Sequence, residues 1–97
     1  MTEPIRVVHD EAHHRYQALL GDEVAGTAHY RARETKIFWH TEVKPEFEGR
    51  GIGSVLAKRV FEDLRGRDEK VVVECPFLTA YLKRHPQYAD LAISTAA

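Results

Sequence analysis

Residues 48–54 read Glu-Gly-Arg-Gly-Ile-Gly-Ser, and this short stretch decides how the rest of the chain is interpreted. Its three alternating glycines leave a turn with few side chains, so that backbone N–H groups can come close to a ligand. From Gly51 onward the apolar period changes from two to nearly four, which predicts that a helix begins here. The unpaired N–H groups and the positive dipole end of such a helix suit a phosphate or pyrophosphate group. The same pattern also fits a turn that only connects a strand to a helix.

The residues before this loop predict an antiparallel meander of about four strands. The alternation of Tyr16, Ala18 and Leu20 is typical of a half-buried strand. The strongest strand signal comes last, in a segment rich in aromatic and β-branched residues, and Pro45 ends it because proline has no N–H to donate. The four predicted strands lie near residues 5–8, 16–20, 24–30 and 36–43.

The residues after the loop predict a helix, a buried strand and a second, shorter helix. The apolar positions of the first helix share one face, and Gly66 is a suitable stop for it. The apolar residues concerned are Ile52, Val55, Leu56, Val60 and Leu64. We expect the buried strand at residues 71–73, the short helix at 77–84, one further turn at 87–91 and a loose tail at 94–97. The predicted fold class is therefore α+β, in one domain spanning residues 1–97 with its core at about 5–91.

The composition is that of an ordinary globular domain. Of the 97 residues, 43% are hydrophobic and 30% are charged, which argues against disorder. The formal net charge is -1, so we do not expect a general nucleic-acid binder, which would carry a strong basic excess. Binding of nucleic acid through the basic cluster near Arg65 and Arg67 remains a hypothesis, although the net charge argues against it.

Cysteine and histidine content bounds the possible metal chemistry. A single cysteine, Cys75, excludes an intramolecular disulfide and a cysteine zinc cage. The six histidines form no His-x-x-x-His pair on a predicted helix, and no metal is expected. The sequence has no long apolar run, so we expect neither a signal peptide nor a membrane span, and we expect a cytoplasmic location.

The order of strand, glycine loop, long amphipathic helix, strand and tyrosine-bearing helix resembles the GCN5-related N-acetyltransferases. The loop motif of that family is Gln/Arg-x-x-Gly-x-Gly/Ala, and residues 48–53 match its glycine positions. Glu48 stands where the family usually has Gln or Arg. The resemblance covers residues 14–88, and the runs at 40–43, 75–77 and 85–88 are similar to a small YjdJ-type subgroup. In that subgroup the helices that usually precede the core strands are missing, so the fold is truncated on its N-terminal side.

The resemblance implies binding of acetyl-CoA as a co-substrate and transfer of its acetyl group to an amine of a small molecule or a protein. It also implies that the central strands splay apart beside the loop. Val43 would pair with the pantetheine arm, and the loop would hold the pyrophosphate. The implied cofactor-binding residues are Val43, Glu48, Gly49, Arg50, Gly51, Ile52, Gly53 and Ser54.

Four residues are candidates for the chemistry. Tyr81 aligns with the tyrosine that protonates the departing thiolate in many family members, and it fits equally a core aromatic residue. By alternation His40 and Glu42 share one side of their strand, where either could take the proton of the amine, although a structural role is favoured for His40. Cys75, just before a predicted helix, could accept the acetyl group or form a mixed disulfide with the cofactor, although the role of an inert buried thiol is favoured.

The sequence leaves a second class of function open, a module that binds CoA or acyl-CoA without turnover. The truncated N-terminal side favours this alternative, because the missing segments form much of the acceptor site in larger relatives. The chain would then act as a monomer or a homodimer, and no interface can be identified from the sequence.

Overall fold

The computed structural model describes residues 4–95, which form one mixed sheet of six strands with two α-helices packed on the same face. The first four strands form an antiparallel meander, as predicted, and the last two join it through parallel pairing. The strands are β1 Ile5–Asp10, β2 Arg15–Leu20, β3 Glu23–Ala32, β4 Lys36–Val43, β5 Val71–Val73 and β6 Ala92–Thr95. The helices are α1 Ile52–Gly66 and α2 Pro76–Arg84, with 3₁₀ turns at Glu11–His13, Pro45–Phe47 and Pro86–Leu91.

The predicted α+β fold is confirmed, with one correction at the C-terminal end. The predicted loose tail is wrong for residues 94 and 95, which belong to β6, while residues 96 and 97 lie outside the described residues. β6 forms because its backbone pairs in parallel with β5, from Val71 opposite Ala92 to Val73 opposite Thr95. This pairing covers backbone groups along the outer edge of a buried strand, where unpaired groups would be costly.

Helix α1 is held to the sheet by its apolar face. Leu56, Val60 and Leu64 are fully buried against the meander, and truncating one such leucine to alanine costs about 2–5 kcal/mol. The helix ends at Gly66, where the sequence predicts its stop. This packing fixes the direction of α1, so its first turn points at the far end of β4. Among residues 4–95, neither helix has the length and apolar character needed to cross a bilayer.

A β-bulge in β4 decides which side chains face the helices. Tyr30 of β3 lies opposite Phe38, and His29 lies opposite His40, so Trp39 is an extra residue in β4. The bulge reverses the alternation that follows it. Consequently the side chains of Thr41 and Val43 face the helices, whereas those of His40 and Glu42 face the other side of the sheet.

Candidate functional site

The site begins where β4 and β5 separate. The two strands pair only at Ile37 with Val72 and at Phe38 with Val73. Beyond that point the backbone N–H groups of Glu74 and Cys75 both donate to the carbonyl of Phe38, at 2.8 and 3.1 Å, and the chain turns into α2. Within the part of the chain that the structure describes, residues 39–43 of β4 therefore pair on the β3 side only, and a cleft opens along their other edge, as the family resemblance implies.

The free edge of β4 presents backbone groups to this cleft. The N–H of Lys44 donates to the carbonyl of Ala25 at 2.9 Å, so the backbone of Lys44 points toward β3. Backbone groups of successive strand residues point to alternate sides, which directs those of Val43 and Thr41 into the cleft. An extended chain lying in the cleft could pair with these groups as an added strand would.

The glycine loop closes one end of the cleft. Gly49 and Gly51 have φ values of +83° and +74°, a left-handed conformation that glycine adopts without strain. Val55 makes the first helical hydrogen bond, to the carbonyl of Gly51. Within residues 4–95, the backbone N–H groups of residues 49–54 donate to no backbone carbonyl. These six groups are the unpaired donors of a helix N-terminus and the turn before it, an arrangement that suits an anion.

A cavity of about 380 Å³ lies between the loop, the end of β4 and the start of α2. Most of the residues that the sequence assigns to the cofactor line it, and the structure adds three that the sequence does not reveal: Thr41, Phe47 and Phe77. The lining residues are Thr41, Val43, Phe47, Glu48, Gly49, Gly51, Ile52, Gly53, Ser54 and Phe77. The volume falls within the usual range for small-ligand sites.

Arg50 lies outside the cavity lining, and its guanidinium stands 5.5 Å from the centre of the Phe47 ring. Glu48 is among the lining residues. A loop of this kind would hold an anion mainly through its backbone donors.

Cys75 is connected to the cavity through one neighbour. The residue is 2% exposed, and its thiol donates a hydrogen bond to the Thr41 hydroxyl at 3.3 Å. Thr41 itself lines the cavity, so its hydroxyl, which accepts this bond, retains its own proton for a ligand. The structure thus brings a buried thiol within one hydrogen bond of the cleft.

Glu42 and His40 lie on the face of the sheet opposite the cavity-lining side chains. Glu42 pairs with His29 of β3, whose Nε2 lies 2.9 Å from Oε1 of the carboxylate. The rings of His29 and His40 stack at 5.9 Å between their centres, and the Trp39 ring lies next to both. His29 is a further candidate that the sequence does not reveal, since only the register of β3 with β4 places it there.

Tyr81 lies apart from the cavity lining. Its ring stacks on His85 at 4.0 Å and lies parallel to Phe61 of α1, 6.0 Å away. Burial raises the pKa of the Tyr81 phenol, and the nearby Tyr88 and Glu62 add to this effect. The hydroxyl is therefore held in its protonated form, and the ring belongs to the contact between α1 and α2.

Among the described residues, a second cavity and the basic cluster of Arg65 and Arg67 are other possible sites. A cavity of about 570 Å³ at the β1 edge shares no lining residue with the cleft, and its charged residues are Arg6, Asp22 and Arg59. Arg65 pairs with Asp90, and Arg67 pairs with Asp63, so both arginines of the basic cluster have acidic partners. Within residues 4–95, no group of three or more His, Cys, Asp or Glu side chains is arranged to hold a metal ion.

Comparison with known proteins agrees with this architecture. A family model described as GCN5-related N-acetyl-transferase matches residues 15–91. Protein NATD1 from Xenopus tropicalis is 32% identical over 91 residues, which cover 89% of this chain and 84% of that protein. Protein NATD1 from Mus musculus and from Homo sapiens is 30% identical over 92 residues, or 90% of this chain and 84% and 81% of those proteins. The chain belongs to the GCN5-related N-acetyltransferase family.

Proposed function

We propose that the chain binds acetyl-CoA in the cleft between β4 and α2 and transfers the acetyl group to an amine. The observation that carries this proposal is the set of unpaired N–H groups at residues 49–54, placed at one end of a cleft beside a free strand edge. The first feature suits a pyrophosphate, and the second suits an extended arm that contains amides. Their adjacency matches a ligand that carries both groups.

The residues present fit this ligand in two respects. The loop turns without strain at its left-handed glycines and leaves its donors free, so it can bind phosphate oxygens through the backbone. The free backbone edge at Thr41 and Val43 can pair with the amides of the arm. Arg50, two residues along the chain from Glu48, can offset the charge of its carboxylate. Acetyl-CoA supplies the activated thioester when it is bound, and the protein supplies position and proton transfer.

On the acceptor side, Glu42 and His29 can hold the proton that an attacking amine must lose. Their hydrogen bond orients the imidazole, as a carboxylate does in other proton-transfer pairs. His40 stacks on the same ring and completes a polar patch on the open face of β4.

On the thiolate side, the Thr41 hydroxyl can donate a proton into the cleft and be resupplied by the Cys75 thiol. Tyr81 is the competing donor, because the family resemblance assigns it that role and its raised pKa keeps the phenol protonated. We assign the role of proton donor to Thr41 and Cys75 rather than to Tyr81, because Thr41 lines the cavity. Covalent acceptance of the acetyl group by Cys75 is the remaining alternative.

A second candidate function is binding of CoA or acyl-CoA without turnover. Two observations favour it: His40 and Glu42 project from the face of β4 opposite the cavity lining, and Tyr81 is packed between the helices. A module of this kind would need the loop and the cleft but none of the proton-transfer groups.

A transfer assay separates the two functions. Release of CoA from acetyl-CoA is followed by chromatography, with small amines and lysine-containing peptides as acceptors and with no acceptor as the control. The enzyme proposal expects amine-dependent release that falls in Thr41→Val and persists in Tyr81→Phe. Binding of acetyl-CoA without amine-dependent release of CoA for any acceptor tested supports the binding module. If release is lost in Tyr81→Phe and not in Thr41→Val, Tyr81 is the proton donor.

A further inference from the structure

The ring of Phe77 fills the space that a side chain at residue 53 would need. The ring lies over the first turn of α1, and its Cζ atom is 2.6 Å from the position that a Cβ of residue 53 would take. Such a distance is far inside van der Waals contact, so the two side chains cannot coexist in this arrangement. The backbone of Gly53 is helical, and its lack of a side chain is therefore required by the neighbouring ring rather than by φ.

The same ring forms one wall of the cleft. Phe77 is 36% exposed and lines the cavity opposite Thr41 and Val43. The start of α2 is tied to β4, because the N–H groups of Glu74 and Cys75 both donate to the Phe38 carbonyl. With its backbone anchored in this way, a displaced Phe77 ring would have to move by side-chain rotation, and the cavity is the space beside it.

We propose that Gly53 and Phe77 together set the width of the cleft for an unbranched thiol arm of the pantetheine class, with Phe77 as the positioning residue. The proposal rests on the proposed function, since it assigns a role to one wall of the same site. Gly53 acts by seating the ring against α1, which keeps the space beside β4 open. Phe77 supplies an apolar surface along the arm, opposite the backbone groups of Thr41 and Val43.

A double-mutant cycle with acetyl-CoA binding as the readout tests this assignment. Gly53→Ala should weaken binding about tenfold or more when Phe77 is present, because the added methyl group turns the ring into the cleft. In the Phe77→Ala background, the same alanine should change affinity by less than about twofold. Gly66→Ala is the matched control, since it lies on the same helix and a Cβ there meets nothing within 4 Å.

Equal losses from Gly53→Ala in both backgrounds would overturn the proposal, because the methyl group would then act on the ligand directly. If Gly53→Ala does not fold, Phe77→Trp and Phe77→Leu test the same wall with the glycine in place. The Phe77→Trp variant should bind acetyl-CoA more weakly than the Phe77→Leu variant does, because its ring is larger. Equal or tighter binding by Phe77→Trp contradicts the proposal. If the unmodified chain does not bind acetyl-CoA, the proposed function itself is contradicted. The Gly53–Phe77 contact is tested separately by urea unfolding, from the coupling between the effects of Gly53→Ala and Phe77→Ala on the free energy of unfolding.

Discussion

The thiol of Cys75 donates a hydrogen bond to the hydroxyl of Thr41 across the point where β4 and β5 separate. Cys75 is buried at the start of α2, and Thr41 lines the cleft. This contact therefore links the only cysteine of the chain to the space in which a thioester would lie.

Substitution at this contact separates the two roles of the thiol. Thr41→Val keeps the shape of the side chain and removes its hydroxyl, so amine-dependent CoA release should fall about a hundredfold while acetyl-CoA affinity changes little. Cys75→Ser keeps a hydrogen-bond donor for Thr41 but supplies a weaker acid than the thiol, so release should fall in part while acetyl-CoA affinity stays unchanged. A Cys75→Ser variant that loses release completely, together with an acetyl adduct on Cys75 in the unmodified protein by mass spectrometry, would favour the covalent alternative.

The hydrogen-bonded pair of His29 and Glu42 gives a second prediction. Glu42→Gln preserves a hydrogen-bond partner for the imidazole but removes the negative charge, so it should lower kcat about tenfold or more and leave the Kd for acetyl-CoA unchanged. Steady-state kinetics and a binding titration on the same preparation measure the two effects. Unchanged kcat in both Glu42→Gln and His29→Gln contradicts a role for the pair in proton transfer.

Gly51 gives a prediction that combines stability with binding. Its φ of +74° is a left-handed conformation, in which alanine is disfavoured by about 1–2 kcal/mol. Gly51→Ala should therefore lower the free energy of unfolding by that amount and weaken acetyl-CoA binding, because relief of the strain moves the N–H groups of the turn. Urea unfolding and titration with acetyl-CoA measure the two changes. Gly66→Ala, which introduces no such strain, should stay within about 1 kcal/mol of the parent chain and bind equally well; equal behaviour of the two variants contradicts the assignment.

His9 predicts how stability depends on pH. Its side chain is 10% exposed, stacks on Tyr16, and lies 2.7 Å from the Tyr30 hydroxyl and 3.2 Å from the Arg67 guanidinium. Burial lowers the pKa of His9 below its ordinary value of 6.5, Arg67 and Lys36 lower it further, and Glu11 and Asp63 oppose the shift. Since Arg67 can only donate, Nδ1 of His9 must accept, and protonation of that atom breaks the contact.

The sign of the effect follows from the lowered pKa. Below about pH 6.5 the unfolded chain binds a proton at His9 more readily than the folded chain does, so stability falls as the pH drops toward the folded pKa. Urea unfolding at several pH values between about 7.5 and 5.5 should show this loss, and His9→Gln should reduce it. The comparison cancels the titration of the other five histidines. The prediction is contradicted if the parent chain and His9→Gln show the same pH dependence of stability. It is also contradicted if His9 makes the parent chain more stable at the lower pH.

Local patterns were sufficient to predict most of the fold. The meander follows from period-two alternation, α1 from its apolar face, and the helix start from the glycines of residues 49–53, because each signal lies within one element. Strand β6 could not be found in this way. Its sequence, Ala-Ile-Ser-Thr, carries no clear alternation, and it becomes a strand only through pairing with β5, more than one helix away in the chain.

The candidate site was predictable where it depends on backbone and not where it depends on tertiary contacts. The loop residues follow from the glycine spacing, but Thr41 faces the cleft only because Trp39 is bulged, and a bulge leaves no mark on a periodic pattern. Phe77 reads as an ordinary aromatic residue at a helix start, and its contact with Gly53 appears only when α1 and α2 are packed together. His29 depends in the same way on the register of two strands.

Binding of acetyl-CoA by the glycine loop and the cleft is measured by calorimetric titration of the purified chain, with free CoA and dephospho-CoA as comparison ligands and Gly66→Ala as the control variant. We expect saturable binding at one site, retained in Gly66→Ala and strongly weakened in Gly51→Ala. Absence of binding at about 1 mM acetyl-CoA would contradict it, because free N–H groups beside an open strand edge would then bind no ligand of this class.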